Sequence, residues 1–288
     1  MGNERAELRP IGDEDVDTVA DFLHTYLNPK VTTAAWRALM TPPWNAEAPN
    51  HGFRLVSSGD VVGAYVAVYA ARIDGDHVRR FCNLAAFCVR EEYRAESLRL
   101  IRAVLRQPGY EFTDLSPSGN VVALNERLGF RHLVSGTRLS ANLPALSRRG
   151  VRLITDPEVI AQTLRGRDAS VFDDHRRAAA ARHLVVSDGE TYAYVVFRRD
   201  RRKGLSLFAT PLYAGGDRGL LARSWPRVRA HLLLRHGLPA TLAEQRILGF
   251  IPTMGVDQVS SRPKMYRGDA ADLQGLDYMY SELALIQW

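Results

Sequence analysis

Val89-Arg90-Glu91-Glu92-Tyr93-Arg94-Ala95-Glu96-Ser97-Leu98-Arg99 carries the end of an apolar strand into the start of an amphipathic helix. The first amides of a helix have no partner inside it, and the positive end of the helix dipole lies behind them. A pyrophosphate docks well on such a turn, and Arg94 can add charge-assisted hydrogen bonds. A rival stretch is Ala214-Gly215-Gly216-Asp217-Arg218-Gly219, where glycines precede a helix with Arg218 and Arg223 close by. Proton transfer needs other groups. Glu111, Asp114, Glu91 and His77 are the available bases on or near the central strands, with Ser116, Ser118, Tyr93 and Asn125 as hydrogen-bonding candidates. Cys82 and Cys88 pair with no histidine in any readable pattern, and buried packing suits both.

These groups need elements to position them. Asp13-Glu14-Asp15 ahead of Val16, Val19, Ala20, Phe22, Leu23 and Leu27 predicts a capped amphipathic helix, followed by a short one over Thr32–Met40. Phe53–Ser57 and Val61–Ile73 are β-rich and joined by Ser58-Gly59-Asp60, where glycine tolerates the positive φ of a hairpin turn. A strand over Arg80–Val89, a helix over Glu91–Gln107 and a strand over Phe112–Leu115 come next. Asn120–Leu128 then reads as a helix stopped by Gly129.

After a linker-like Pro144–Gly150 the same themes return. Asp156–Leu164 is helical, Arg182–Ser187 and Thr191–Arg199 flank the turn Asp188-Gly189-Glu190, and Leu205–Thr210 is a strand. Asp217–His236 is a helix stopped by Gly237, and Leu248-Gly249-Phe250 repeats Leu128-Gly129-Phe130. The repetition predicts a diverged duplication, with domains over 1–145 and 146–288. Leu276–Leu283 alternates and predicts a terminal strand, Tyr278 and Tyr280 on one face.

Element order over residues 5–135 and two motifs resemble the GNAT N-acyltransferase fold. Val89–Arg99 is similar to the cofactor motif Val-x-x-x-(Tyr/Arg)-(Arg/Gln)-x-x-Gly-x-(Gly/Ala), except that Ser97 and Arg99 stand at its small-residue positions. Ser118-Gly119-Asn120 followed by Asn125-Glu126-Arg127-Leu128-Gly129-Phe130 is similar to the closing Asn…Tyr-Glu-x-Leu-Gly-Phe helix. There Asn125 replaces the tyrosine that commonly protonates the departing coenzyme A thiolate; an amide can steady that thiolate but has no proton to give at useful pKa.

The resemblance implies a mixed α/β (α+β) fold with two GNAT-like acyl-CoA N-acyltransferase cores in tandem. It implies acetyl-CoA or another acyl-CoA as co-substrate and direct attack by a small amine-bearing acceptor. The backbone of Phe87, Cys88 and Val89 would follow the pantetheine, and Arg94, Ala95, Glu96, Ser97, Leu98 and Arg99 would surround the phosphates. Asn125, Ser116 and Tyr93 would serve the chemistry. A catalytically degenerate binding protein and a long-chain acyl-donor synthase stay open as alternatives, as does Gly215, Gly216 and Gly219 as the cofactor turn.

Composition is compatible with this. The chain has 288 residues, enough for two domains of about 140 residues. Its 46% hydrophobic and 24% charged content points to packed cores rather than disorder. The net charge of +6 lies partly in arginine clusters such as Arg79-Arg80, Arg176-Arg177 and Arg198-Arg199, which suit small anions; no nucleic acid or membrane partner is expected. Two cysteines exclude a disulfide framework and a zinc site. With no apolar leader and no run of about 18 apolar residues, a cytoplasmic protein is expected.

Overall fold

The computed structural model describes residues 5–44, 47–74, 77–133, 136–145, 150–202, 204–258, 263–268 and 276–287. In chain order the elements begin with β1 (Glu7–Pro10), α1 (Val16–Tyr26), α2 (Thr33–Met40), β2 (Gly52–Ser57), β3 (Asp60–Asp74) and β4 (His77–Val89). A 3₁₀ turn (Glu91–Glu96) leads to α3 (Ser97–Leu105), β5 (Glu111–Asp114), α4 (Gly119–Arg127), β6 (Arg131–His132) and β7 (Thr137–Ala141). Then come β8 (Arg152–Ile154), α5 (Pro157–Thr163), α6 (Gly166–His175), β9 (Arg182–Ser187), β10 (Tyr192–Arg202) and β11 (Leu205–Gly216). The last are α7 (Arg218–His236), β12 (Ala240–Glu244), α8 (Gln245–Leu248), β13 (Val256–Gln258), β14 (Met265–Arg267) and α9 (Glu282–Leu285).

Local chemistry accounts for most of these boundaries. Thr32 caps α2 by accepting from Ala35 N–H, and Asp217 caps α7 by accepting from Leu220 N–H. Ser58 and Gly59 both take positive φ, 51° and 89°, as a two-residue hairpin turn requires. Gly237 closes α7 at φ 63° in the left-handed region. One expected helix differs: Glu91–Gln107 divides into the 3₁₀ turn and α3. Between Tyr93 and Leu98 the one apolar side chain, Ala95, is exposed and does not seat a turn on the sheet, whereas Leu100, Ile101 and Val104 are buried.

Contacts gather the chain into two units. The first comprises Met1–Leu133 with Pro263–Ala271 and Tyr280–Ile286, around a seven-stranded sheet ordered β1-β2-β3-β4-β5-β14-β6. The second comprises Val134–Arg262 with Asp272–Met279 and Gln287–Trp288, around a seven-stranded sheet ordered β13-β7-β12-β11-β10-β9-β8. Residues 137–141, ahead of the expected division near residue 145, therefore pair in the second sheet. Met265–Arg267, after it, pair in the first between β5 and β6. Strands of three to five residues are too short for alternation to reveal.

Each sheet carries the same pair of irregularities. Val66 faces Ala86 and Ala67 faces Leu84, so Ala85 bulges out of β4; Val196 faces Tyr213 and Phe197 faces Pro211, so Leu212 bulges out of β11. Each bulge stands at the same interval from its strand's end, Ala85 to Val89 and Leu212 to Gly216. β4 and β5 pair in parallel only from Phe81↔Glu111 to Asn83↔Thr113, and β11 and β12 only at Phe208↔Ala240 and Ala209↔Thr241. Beyond those pairs the strands part. The unit cores lie where α3 and α7 cover their sheets, with Leu100, Ile101 and Val104 in the first and Leu220, Leu221, Trp225, Val228 and Leu232 in the second.

The expected strand over Leu276–Leu283 is not formed. Tyr278, Met279 and Ser281 are all buried, so the run has no solvent face to alternate against, and Tyr280 takes φ 59°. Ser281 then accepts from Leu283 N–H and starts α9.

Candidate active site

In the first unit, β4 runs on from Asn83 to Val89 beyond its last pairing with β5. The main-chain groups on that edge are outside the ladder, and the Ala85 bulge falls within this stretch. Phe87, Cys88 and Val89 lie along it, paired on the other side with Tyr65, Ala64 and Gly63. An extended amide-bearing chain can hydrogen-bond to such an edge as an added strand does.

The turn over Arg90–Arg99, expected to surround phosphates, is built less simply than its sequence suggests. Arg94 is exposed, 3.8 Å from Glu91; Arg90 pairs with Glu92; Arg99 pairs with Glu96 and donates to Ala6 O at 2.7 Å. Ala95 and Leu98 are exposed, and Ser97 opens α3. Exposed ion pairs are worth about 0–1 kcal/mol, so a pyrophosphate with more charge can draw Arg90 and Arg94 away from their glutamates. Arg99 is committed to Glu96 and to Ala6, the residue ahead of β1.

Where β4 and β5 part, a polar network is buried. Thr113 Oγ1 donates to Asn83 Oδ1 at 2.9 Å, and Asn83 Nδ2 donates to Glu282 Oε2 at 2.5 Å. Ser116 Oγ donates to Glu282 Oε1 at 2.6 Å, and Asn125 Nδ2 donates to Asp114 Oδ2 at 2.8 Å. Glu282 is 0% exposed and Asn125 2%, while Ser116 is half-buried. Burial, and next the charge of Glu282, push the Asp114 carboxyl up to about 7, against hydrogen bonds from Asn125 and from the Ser116 backbone. The Asp114 carboxyl can therefore gain or lose a proton near neutrality.

Glu282 reaches this place from the end of the chain. Tyr280 precedes it in the left-handed region, a strain of about 1–3 kcal/mol for a non-glycine residue. Its ring sits 5.3 Å from that of Trp44 and 5.1 Å from the Arg72 guanidinium, contacts that help hold the turn.

The predicted site residues thus separate. Ser116 and Asn125 come together in the network; Asn125 is turned onto Asp114 and positions it. Tyr93 stands apart on the 3₁₀ turn, its ring against the unit core and 5.9 Å from the Arg90 guanidinium. Glu111 is held by Arg79 through two 2.7 Å bonds and by the Tyr266 hydroxyl. Burial pushes that carboxyl up, but the bonds from Arg79 and Tyr266 outweigh it and keep it below the usual range. Glu91 and His77 are exposed. Burial pushes the thiols of Cys82 and Cys88 up, the reverse of a nucleophile's need. Glu282 was not foreseen, because nothing local in the sequence brings it to β4.

The rival glycines in the second unit have another use. A Cβ on Gly215 would lie 1.8 Å from Asp168 Oδ1, and one on Gly216 2.3 Å from Tyr192 O. Gly215 makes room for a buried carboxylate, which would repel a phosphate brought there.

No protein-family model matches the sequence, and no curated protein matches it significantly. Solved structures do. A GCN5-related N-acetyltransferase from Anabaena variabilis aligns with TM-score 0.60 and 13% identity, over 91% of this chain and 72% of that one. A putative acetyltransferase from Pyrococcus horikoshii aligns with TM-score 0.55 and 13% identity, over 93% and 91%. A tandem GNAT protein from the clavulanic acid biosynthesis pathway aligns with TM-score 0.51 and 16% identity, over 91% and 98%. Two mixed α/β sheets with matching bulges and parting strands, aligned with these proteins over nine-tenths of the chain, give it the fold of a tandem GCN5-related N-acetyltransferase.

Proposed function

We propose that the protein is an acyl-CoA-dependent N-acyltransferase, acting in the first unit on a small amine-bearing acceptor. The observation that carries this reading is the coupled Asp114–Glu282 pair, reached through the half-buried Ser116 hydroxyl, where β4 leaves β5. The free edge of β4 suits the pantetheine arm, and the turn with Arg90 and Arg94 suits the phosphates. The acyl-CoA supplies the activated thioester; the chain's residues orient it and manage the proton. The acceptor nitrogen attacks the thioester carbonyl, the C–S bond breaks, and an amide and coenzyme A thiolate form. Ser116 takes the proton the amine loses as it passes its own to Glu282, and Asn83, Thr113 and Asn125 fix the two carboxylates.

The test is thiol release from acetyl-CoA with a panel of primary amines. A negative Asp114 makes the neighbouring Glu282 a stronger proton acceptor, so kcat should rise with pH as the Asp114 carboxyl, pushed up to about 7, ionises, and should level off above that. A flat profile from pH 5 to 9 would remove the pair from the mechanism. Arg94→Ala should raise KM for acetyl-CoA about three- to tenfold and leave kcat nearly unchanged, since an exposed cation contributes to binding alike in ground and transition states.

A further inference from the structure

The second unit has an open cleft of about 280 Å³ at the end of β11, lined by Arg167, Asp168, Tyr213, Gly215, Arg218 and Asp277 among others. Its floor is the Asp168 carboxylate, 7% exposed, laid directly against the backbone of Gly215. Two neutral donors reach it: Tyr213 Oη to Oδ1 at 2.6 Å and Tyr192 Oη to Oδ2 at 3.0 Å. Among the described residues no cation lies within ion-pair distance of it. A buried carboxylate without a countercharge is costly, and two hydroxyls leave part of its accepting capacity unused.

The rim has the opposite character. Arg218, the first residue of α7, donates through Nη1 to Ile247 O at 2.7 Å and Leu248 O at 3.1 Å, and forms no ion pair with a carboxylate among the described residues, although the charge of Asp168 acts on it across the cavity. It sits at the N-terminal, positive end of a 19-residue helix. The other charges facing the cavity are already matched or engaged. Asp277 is paired with Arg167 at 2.9 Å and accepts from Met279 N–H at 2.9 Å, and Arg246 lies over the Tyr278 ring and donates to Leu276 O.

Asp168 and Arg218 feel each other's charge across one cavity without forming an ion pair, and a dipolar ligand between them would meet an opposite charge at each end. We propose that this cavity binds a small zwitterion, an amino carboxylic acid, with its ammonium on Asp168 and its carboxylate on Arg218. The inference is independent of the acyl-transfer reading, because no residue of the first unit enters it.

Calorimetric titration of the full chain with L-alanine, L-leucine and L-glutamine tests it, with ethylamine and propionate as half-ligand controls. At least one amino acid should bind saturably at about 10 mM, where a millimolar site is mostly filled, and both controls should bind at least about tenfold more weakly. Asp168→Asn and Arg218→Gln should each weaken binding about tenfold or more. Asp168 is buried and its variant can lose fold, whereas Arg218 stands on the rim, so Arg218→Gln decides the matter if Asp168→Asn unfolds. No binding by any of the three amino acids, equal binding by either control, or full affinity in folded Arg218→Gln would overturn the proposal.

Discussion

Glu282→Gln should lower kcat for acyl transfer by about 10²–10⁴-fold, the range over which a positioned proton acceptor contributes. Glutamine has the same shape and can still accept from Asn83, while the Ser116 hydroxyl rotates to accept from the new amide. It cannot take a proton. The fold should therefore persist, with unchanged far-ultraviolet circular dichroism and a melting midpoint at or above that of the wild type, because a buried charge has been removed. A second consequence follows from the coupling. Asp114 is pushed up to about 7 partly by the charge of Glu282, so its titration in the variant should move to lower pH. Residual activity should then rise over a more acidic window than in the wild type. A variant with normal turnover and an unshifted profile would make Glu282 a packing residue only.

Tyr266→Ala should destabilise the protein by about 3–5 kcal/mol, the cost of truncating a fully buried aromatic residue. Tyr266 is the middle residue of β14, paired with Thr113 of β5 and Arg131 of β6, and its hydroxyl donates to Glu111. Removing the ring leaves a cavity between strands and leaves Glu111 with Arg79 as its remaining named partner. Tyr266→Phe keeps the ring and should cost only about 1 kcal/mol. Urea denaturation followed by tryptophan fluorescence measures both. If residues 265–267 instead lay on the surface, both variants would fall within about 0.5 kcal/mol of the wild type.

Much of the fold is legible in the sequence because its signals are local. The buried positions of α1, the Thr32 and Asp217 caps, the Ser58-Gly59 turn and the left-handed Gly129, Gly237 and Gly249 each depend on a few neighbouring residues. The exchange of β7 and β14 between the sheets is not legible. Three to five residues carry no period, and their partners lie more than a hundred residues away in β13 and β5. The candidate site divides along the same line. Asp114 and Ser116 follow directly from their place at the end of β5, and Asn125 from the helix that closes the first core. Glu282 has no local signal. Its place in the network depends on a left-handed tyrosine and on Tyr280–Ile286 joining the first unit. The neighbourhood of Gly215 is hidden for a related reason: flexibility before a helix is legible, whereas the Asp168 carboxylate in the space beside the glycine is not.

Hydrogen–deuterium exchange with and without acetyl-CoA tests the central claim most directly, since it reports where the donor binds without requiring the acceptor to be known. Added acetyl-CoA should protect amides over Ala85–Ser97, the free edge of β4 and the turn behind it, and leave Tyr213–Leu220 of the second unit unchanged. Protection at Tyr213–Leu220 instead, or at neither place with acetyl-CoA in large excess, would contradict the account.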